Sequence, residues 1–480
     1  MRPVRSDRTT GASTGSGGKT LGGSTAVNGM VYNRGNQGDY DALSARGNPG
    51  WGWDDMLPVL RRIEDHPLGA SHTRGADGPL RLTTVAGTEP LLDDVIQAGG
   101  ELGWQHTQDL NETDEERIGY TTATIHDGRR SSAATAFLHP VLDRPNLRTA
   151  LRTHADRIVL DGGRAVGVEG RRDGRTVEYR AAREVILSAG ALATPKLLQL
   201  SGIGNRESLR TAGVTAVVDS PHVGARLREH RVFSLQFRLT ADAGRNRLLS
   251  TPEGQQQALA EYRATGGGPM AAPSFDVVGF FKTRTSLHRP DAQLLVAPYS
   301  MSLPMNSAEG VQLEREPGLL AIVYPLRPDS EGTVHITSDD PDAPLDIDPA
   351  YLATEHDQVT SVDAFRRVRR LFATDPLARW VDHETTPGPD VRTDQEILDH
   401  GLTDGGCGYH SVGTAAMGPN DDDVVDPDLR VRGVKDLRVV DASVFPAMIS
   451  GNLTGPVSAL AWRAADLILD DTSSTGRRGA

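Results

Sequence analysis

Residues 184 to 200 place a short apolar run, a glycine turn and a helical segment in immediate succession. Glu184–Ser188 has the pattern of a short buried strand, and Ala193–Leu200 has that of a helix. A strand that passes through a tight turn directly into a helix is typical of a parallel sheet with helices packed on its faces. This segment therefore predicts an α/β lobe.

Two other parts of the chain fit the same lobe. A hairpin is expected within Arg157–Gly170, and near the C-terminus the first pattern returns, with a strand at Leu437–Val440 and a helix that begins at Pro456.

The middle of the chain predicts a separate α+β lobe on an antiparallel or mixed sheet. Its expected elements are the strands Ser274–Lys282, Ala292–Ala297, Leu319–Pro325 and Gly332–Ile336 and the helix Ser361–Phe372.

Composition argues against several classes of protein. The net charge of −13 would repel a phosphate backbone, so nucleic acid is not an expected partner. The single cysteine, Cys407, excludes an internal disulfide and a cysteine-rich metal site and fits the reducing cytoplasm. No apolar run reaches the ~20 residues of a membrane span, and no secretory signal is visible. We expect a cytoplasmic protein that binds a small molecule, holds no metal and does not enter the membrane; its oligomeric state stays open.

The glycine-rich start does not meet the requirements of a phosphate-binding loop. Ser13 stands where a Walker A motif needs glycine, and no buried strand precedes the segment Gly11–Thr20. A dinucleotide-binding turn that began at Gly15 would fail because Thr20 occupies its last glycine position. We therefore expect residues 1–20 to form a flexible leader and the polar residues 471–480 to form a mobile tail.

The next segment, Leu21–Met30, has the sequence LGGSTAVNGM. Gly22 and Gly23 allow the backbone to approach a ligand closely, and Ser24 and Asn28 supply hydrogen-bonding groups beside it. This Gly-Gly-Ser and Asn-Gly-Met arrangement resembles the flavin loop of the glucose-methanol-choline (GMC) oxidoreductases. The alternative is a tight turn with only a structural role.

The resemblance to this family recurs in the same order over nearly the whole chain, with blocks that begin at Gly128, Ser188, Val223, Pro290 and Tyr409. Chance similarity would not preserve that order. The resemblance implies a Rossmann-like FAD-binding lobe, incomplete at its N-terminus, from residues 21–60, 125–230 and 405–470. Residues 61–124 and 231–404 would form the substrate-binding lobe.

The same resemblance implies FAD as the cofactor. Family members with covalent flavin attach it through a histidine in the flavin loop, and Val27 stands at that position, so we expect noncovalent binding. The positions implied for FAD contact are Gly22, Gly23, Ser24, Asn28, Gly29 and Met30 in the flavin loop, Ala155, Ser188, Ala189 and Gly190 toward the adenosine end, and Asp441, Ala442 and Thr454 near the C-terminus.

Two further motifs imply a catalytic pair. Tyr409–Gly418 resembles the active-site histidine block of the family and makes His410 the base, and Asn452 stands at the second catalytic position, which is His or Asn in this family. Oxidation of an alcohol needs a base with a pKa near neutrality and a fixed donor for the developing alkoxide. The alternatives are a histidine buried for structural reasons and an asparagine that caps a loop. Cys407 is expected to be a small buried residue rather than a nucleophile.

The resemblance has one gap. Family members begin with a strand, a Gly-x-Gly-x-x-Gly turn, a helix and a strand ending in an acidic residue, and none of these precedes the flavin loop of this sequence. The missing turn would place the pyrophosphate at a helix N-terminus and the missing acidic residue would hold the adenosine ribose, so the sequence leaves open whether FAD is held fully, weakly or not at all.

Three interpretations stay open at this stage. The chain is a shortened oxidoreductase that oxidises a primary or secondary alcohol by hydride transfer to FAD N5, a flavin-free lyase, isomerase or cyclase that uses His410, or an inactive scaffold. His410, Asn452 and Asp441 are all present, which favours an enzyme.

Overall fold

The computed structural model describes residues 17–84, 86–87, 89–302, 310 and 312–476, with only the backbone of residues 472–476. Most of the predicted leader, residues 1–16, and the last tail residues, 477–480, lie outside this part of the chain.

The largest sheet in the described part of the chain has eight strands and is mostly antiparallel. Val277–Phe281, Ala292–Ala297 and Gly318–Pro325 are buried at every position because both faces of the sheet are covered. The helices Pro90–Glu101 and Glu355–Phe372 pack on one face. The strand order is Val381–Thr386, Arg231–Leu239, Gly318–Pro325, Ala292–Ala297, Val277–Phe281, Arg117–Tyr120 and Gln105–His106, with Gly406–Cys407 paired to Arg231–Leu239.

A short parallel pair forms the centre of the other half of the molecule. Val185–Leu187 pairs in register with Leu437–Val439, and Val185–Leu187 leads through a turn into the helix Ala193–Leu200. The strands Thr153–Asp161, Arg164–Arg172 and Arg175–Arg180 form an antiparallel sheet beside them. The apolar core of this half combines side chains from residues 40–63, 158–223 and 412–464. Segments distant in sequence therefore share one core.

The remaining elements are further helices and two-stranded pairs. The α-helices are Gln37–Ala45, Trp53–Ile63, Arg206–Thr211, Asn246–Leu249, Pro252–Thr265, Asp375–Ala378, Asp394–Thr403 and Thr454–Gly476. Tighter or wider helical turns occur at Gly23–Ala26, Ala134–Leu138, His139–Val141, Pro269–Ala271 and Ala442–Val444. The paired short strands are Glu64–Asp65 with Leu80–Arg81, Thr83–Thr84 with Thr122–Ala123, Ile125–His126 with Arg129–Arg130, Ile203–Gly204 with Val218–Asp219, and Thr333–Ile336 with Leu345–Asp348.

Several helix ends differ from the predictions. The helix expected from Ser361 begins at Glu355, because the Thr354 hydroxyl caps it by accepting from the Asp357 N–H. The C-terminal helix begins at Thr454, before Pro456, and continues through Gly476, past the predicted boundary at 470. The Asp471 carboxylate accepts hydrogen bonds from Arg430 and Arg438, which holds this last part of the helix against the protein. The start of the predicted tail is therefore helical.

No helix within the described ranges combines the length and the apolar character that crossing a membrane requires. Across the same ranges, no group of three or more His, Cys, Asp or Glu side chains is arranged to hold a metal ion.

Candidate active site

The turn after Val185–Leu187 lies beside the loop after Leu437–Val439, because these strands are parallel neighbours. The Asp441 carboxylate joins the two: it accepts from the Gly190 N–H at 2.9 Å and from the Thr194 hydroxyl at 2.5 Å. It also accepts from the Ser443 N–H at 2.9 Å. Gly190 has φ 89°, which explains why glycine stands in this turn.

The flavin loop is tied to two distant segments. The Asn28 side chain donates to the Thr454 hydroxyl at 3.1 Å, at the first residue of the C-terminal helix, and accepts from the Met30 N–H at 3.1 Å. The Arg130 guanidinium donates to both the backbone and the side-chain oxygen of Asn28 at 2.7 Å. Gly22 has φ 88° where the loop begins. The predicted residues Asn28, Met30 and Thr454 are thus brought together.

His410 and Asn452 also meet. The Asn452 Nδ2 lies 3.1 Å from the His410 Nε2. The Asn452 Oδ1 accepts from the Asn33 Nδ2 at 2.8 Å and from the Gln293 Nε2 at 3.1 Å. The Gln293 Oε1 accepts in turn from the Tyr324 hydroxyl at 2.7 Å. Since two donors converge on the Asn452 oxygen, its NH₂ group is held toward His410.

A second histidine lies behind His410. The Nδ1 atoms of His230 and His410 are 2.9 Å apart, and the His230 Nε2 lies 3.0 Å from the Leu326 carbonyl oxygen. The His230 ring stacks on Tyr324 with centroids 4.6 Å apart. His230 is 1% exposed, so neither of its nitrogens relies on water for a partner.

The buried Glu229 carboxylate supports the backbone of both histidines. It accepts from the N–H groups of His410 at 2.7 Å and His230 at 2.9 Å, and from the Ser411 hydroxyl at 2.5 Å. Burial raises its pKa, although these hydrogen bonds oppose the rise. One carboxylate thus connects the backbone at His230 to the backbone at His410.

Burial lowers the pKa of His410 well below its usual value, and the neighbouring His230 lowers it further. Burial also lowers the pKa of His230 to about 4. The His410 pKa is therefore lower than the near-neutral value expected from the sequence, and Glu229 contacts the His410 backbone rather than its ring. The pKa of the half-buried Cys407 is raised to about 12 by burial, which does not favour a nucleophile.

The other predicted cofactor positions lie on partly open surface. Ser188 and Ala189 are exposed, and Ala442 is partly exposed beside the buried Asp441. Ala155 is exposed in Thr153–Asp161, a strand that contacts the helix Ala193–Leu200. Ser24 is exposed, while Gly22, Gly23 and Gly29 are partly covered, and a Cβ on Gly29 would lie 3.2 Å from the Ser274 side chain.

Two family models, both described as GMC oxidoreductase, match residues 9–232 and 328–461. The chain belongs to this family. This GMC oxidoreductase is 36% identical over 465 residues to the mitochondrial choline dehydrogenase of Homo sapiens, and the match covers 94% of this chain and 75% of that protein. It is also 36% identical over 454 residues to the oxygen-dependent choline dehydrogenase of Chromohalobacter salexigens, covering 94% and 80%.

Solved structures agree with this assignment. Pyridoxine 4-oxidase from Mesorbium loti superposes with a TM-score of 0.82 at 29% identity, covering 94% of this chain and 84% of that one. Formate oxidase of Aspergillus oryzae superposes with a TM-score of 0.87 at 25% identity, covering 95% and 85%. The predicted fold class, an α/β FAD-binding lobe with a second α+β lobe, is confirmed. This GMC oxidoreductase is a flavin-dependent enzyme that acts on alcohol CH–OH groups, with FAD as its cofactor.

The residues of this surface fit FAD. A Cβ on Gly23 or Gly190 would meet no atom within 4 Å, so the backbone there is open to a ligand. Val27 in the flavin loop is 62% exposed, and Tyr409 beside His410 is 54% exposed. The Asp441 carboxylate accepts from three donors, two in the turn and one in its own loop.

Sequence reasoning missed several residues of the site. Asn33, Gln293 and Tyr324 orient Asn452, and His230 and Glu229 support His410. Arg130 and His230 lie in blocks that resemble the family, and this resemblance was the only indication in the sequence that they could matter. It did not predict which residues they contact.

Proposed function

We propose that this GMC oxidoreductase oxidises a primary or secondary alcohol with His410 as the base and Asn452 as the group that orients the substrate oxygen. The observation that carries the proposal is the 3.1 Å approach of the Asn452 Nδ2 to the His410 Nε2. A hydroxyl oxygen can lie within hydrogen-bond distance of both atoms at once. His410 then accepts the hydroxyl proton at Nε2.

Asn452 supplies a neutral donor. An amide carries two N–H bonds, one of which is directed at His410, and we assign the other to the substrate oxygen. As the proton leaves, negative charge develops on that oxygen, and a fixed donor stabilises the charge without competing for the proton. FAD, when bound, supplies the acceptor for the hydride that leaves the alcohol carbon.

The FAD-contact residues named from the sequence belong to this proposal. We infer that Gly22, Gly23, Ser24, Gly29 and the Ser188–Gly190 turn contact the cofactor through their backbone. Asn28 and Thr454 would contact it with side-chain polar groups, Met30 and Ala155 by packing, and Ala442 through its N–H. Asp441 would act indirectly, by fixing the turn. Binding is noncovalent, because Val27 has no group that could form the bond.

The test starts from the purified protein. FAD should give an absorption band at about 450 nm, a property of the flavin itself. Choline, pyridoxine and a benzylic alcohol form the first substrate panel, since similar proteins are named for choline and pyridoxine. We expect His410→Ala to keep the band and to lose substrate oxidation by a factor on the order of 10² to 10⁴. Oxidation at the wild-type rate in His410→Ala would overturn the proposal.

The two-lobe division and a cytoplasmic location also stay proposals. The two main apolar cores, one from residues 40–63, 158–223 and 412–464 and the other largely from residues 91–120 and 233–398, support the division. The presence of one cysteine supports the location.

A further inference from the structure

The hydrogen bonds behind His410 determine where its proton lies. A carbonyl oxygen can only accept, so the His230 Nε2, 3.0 Å from the Leu326 oxygen, carries a hydrogen. A neutral imidazole has one N–H, which leaves a lone pair on the His230 Nδ1. The His410 Nδ1, 2.9 Å away, must therefore be the donor of that bond. Because the Leu326 carbonyl can only accept, the donor and the acceptor of both hydrogen bonds are fixed.

The opposite side of the His410 ring agrees with this assignment. The Asn452 Nδ2 is a donor and lies 3.1 Å from the His410 Nε2. The Asn452 oxygen is already occupied by donors from Asn33 and Gln293, so the amide cannot turn its oxygen toward the ring without losing both bonds. The His410 Nε2 must accept, and it carries a lone pair.

We propose that His230 is a positioning residue that selects the tautomer of His410 with the proton on Nδ1, so that Nε2 carries the lone pair that takes the substrate proton. The inference rests on the proposed role of His410 as the base. In a neutral imidazole the protonated nitrogen is set by the hydrogen bond that the other nitrogen makes. Without His230, the buried His410 Nδ1–H would lack its acceptor, so only the Asn452 donor would still favour this tautomer, and a larger share of His410 should be protonated at Nε2.

Among the residues that the structure describes, no carboxylate lies within hydrogen-bond distance of the His410 ring. Glu229 is close in sequence to His230, but its oxygens are occupied by the N–H groups of His230 and His410 and by the Ser411 hydroxyl. His230 selects the tautomer through a neutral acceptor. A neutral acceptor leaves the basicity of His410 less altered than a charged one would.

The decisive measurement reads the tautomer directly and needs neither FAD nor substrate. Protein labelled with ¹⁵N-histidine is examined by long-range ¹H–¹⁵N NMR, which distinguishes protonated from unprotonated ring nitrogens, and His410→Gln assigns the signals. We expect His410 in the wild type to be protonated at Nδ1. His230→Asn keeps an acceptor oxygen near the position of Nδ1 and should preserve this state, whereas His230→Leu and His230→Ala should shift His410 toward protonation at Nε2.

His400→Leu is the matched control. His400 is also buried and its Nε2 also lies near a backbone carbonyl, that of Ser234 at 3.1 Å, but its Nδ1 is bonded to Asp404. This variant should lose similar stability and keep the His410 tautomer. The inference is wrong if His410 in the wild type is protonated at Nε2, or if its tautomer is unchanged in His230→Leu and His230→Ala.

Kinetics provide the second readout. In FAD-loaded enzyme we expect kcat/KM to fall by about tenfold to a hundredfold in His230→Leu, as a base partly held in the wrong tautomer should. We expect His230→Asn to recover most of the loss. If the wild type oxidises no alcohol while the NMR result holds, the proposed function fails and the tautomer assignment stands. If the wild type is active and His230→Leu matches it, the inference fails alone.

Discussion

Asn452 is held in one orientation by its neighbours, and this makes its contribution measurable. We expect Asn452→Leu to lower kcat and kcat/KM together by roughly 10² to 10³, the effect of removing one donor to a developing oxyanion. The donor groups of Asn33 and Gln293 would also lose their acceptor.

Steady-state kinetics on the best alcohol of the panel measure this effect. Asn452→His, which places the family's other residue at this position and retains a donor, should recover most of the activity. An increase in KM at unchanged kcat in Asn452→Leu would mean that the amide contributes only to substrate binding.

The buried histidines make stability depend on pH in a definite direction. His410 and His230 have folded-state pKa values below the unfolded value of about 6.5, that of His230 being about 4. The unfolded state therefore binds more protons as the pH falls below about 6.5, and each histidine reduces stability by about 1.4 kcal/mol per pH unit until its folded pKa is reached. Glu229 opposes this trend, because its raised pKa favours proton uptake by the folded state.

Urea unfolding at pH 7, 6 and 5 tests this sign. The contribution of His410 is measured by comparison with His410→Gln, which retains both Glu229 and His230. The stability of the variant should fall less steeply between pH 6.5 and pH 5 than that of the wild type. Parallel slopes in the two proteins would contradict the depressed pKa of His410.

At the residue scale, motifs in the sequence singled out His410 and Asn452, whereas the side chains that hydrogen-bond to them were found only in the structure. His410 and Asn452 stand in recognisable blocks, and their side chains lie 3.1 Å apart. Their supporting residues act across large separations: His230 lies 180 positions from His410, and Gln293 lies 159 positions from Asn452. Local sequence carries no information about such tertiary contacts, so their roles could not be assigned from it.

Among the structural elements, the turn between Val185–Leu187 and Ala193–Leu200 depends on one carboxylate from the neighbouring loop. Asp441→Asn keeps the size of the side chain but removes the charge that strengthens the bonds from Gly190 and Thr194. We expect the affinity for FAD to fall by about tenfold to a hundredfold, equivalent to losing about 1.4 to 2.8 kcal/mol.

Titration of the apoprotein with FAD, followed by flavin fluorescence, measures this affinity. Asp428→Asn provides a control on the same segment, because Asp428 pairs with Arg430, away from the turn. Equal affinity in Asp441→Asn and the wild type would show that the turn does not contact the cofactor.

Elements with strong local signals were predicted at their observed limits. Ala193–Leu200 and Ala292–Ala297 occur as expected, because a defined turn or a continuous apolar run marks each of them. The first turn of Glu355–Phe372 was missed because it is polar. Its Asp357 is nonetheless buried, since its carboxylate accepts from the N–H groups of Asp329 and Ser330. A tertiary contact buries a residue that hydrophobic periodicity assigns to solvent.

On the scale of the whole molecule, Arg438 connects the parallel strand pair to the C-terminal helix. Its buried guanidinium donates to Glu184 at 2.8 Å and to Asp471. We expect Arg438→Leu to lower the free energy of unfolding by about 2 kcal/mol, since it removes charge-assisted bonds from a buried site. Arg157→Leu, which breaks the exposed pair with Glu169, should cost less than about 1 kcal/mol. Chemical denaturation compares the two, and equal losses would contradict the structural role of Arg438.

The bond between Asn28 and Thr454 joins residues that are 426 positions apart. This corner of the cofactor surface therefore forms only after the segments that carry the two residues have packed together. A nascent or proteolysed chain that lacks the segment with Thr454 cannot form this hydrogen bond. Acquisition of the yellow cofactor should therefore come late in biogenesis, and colour should report complete folding.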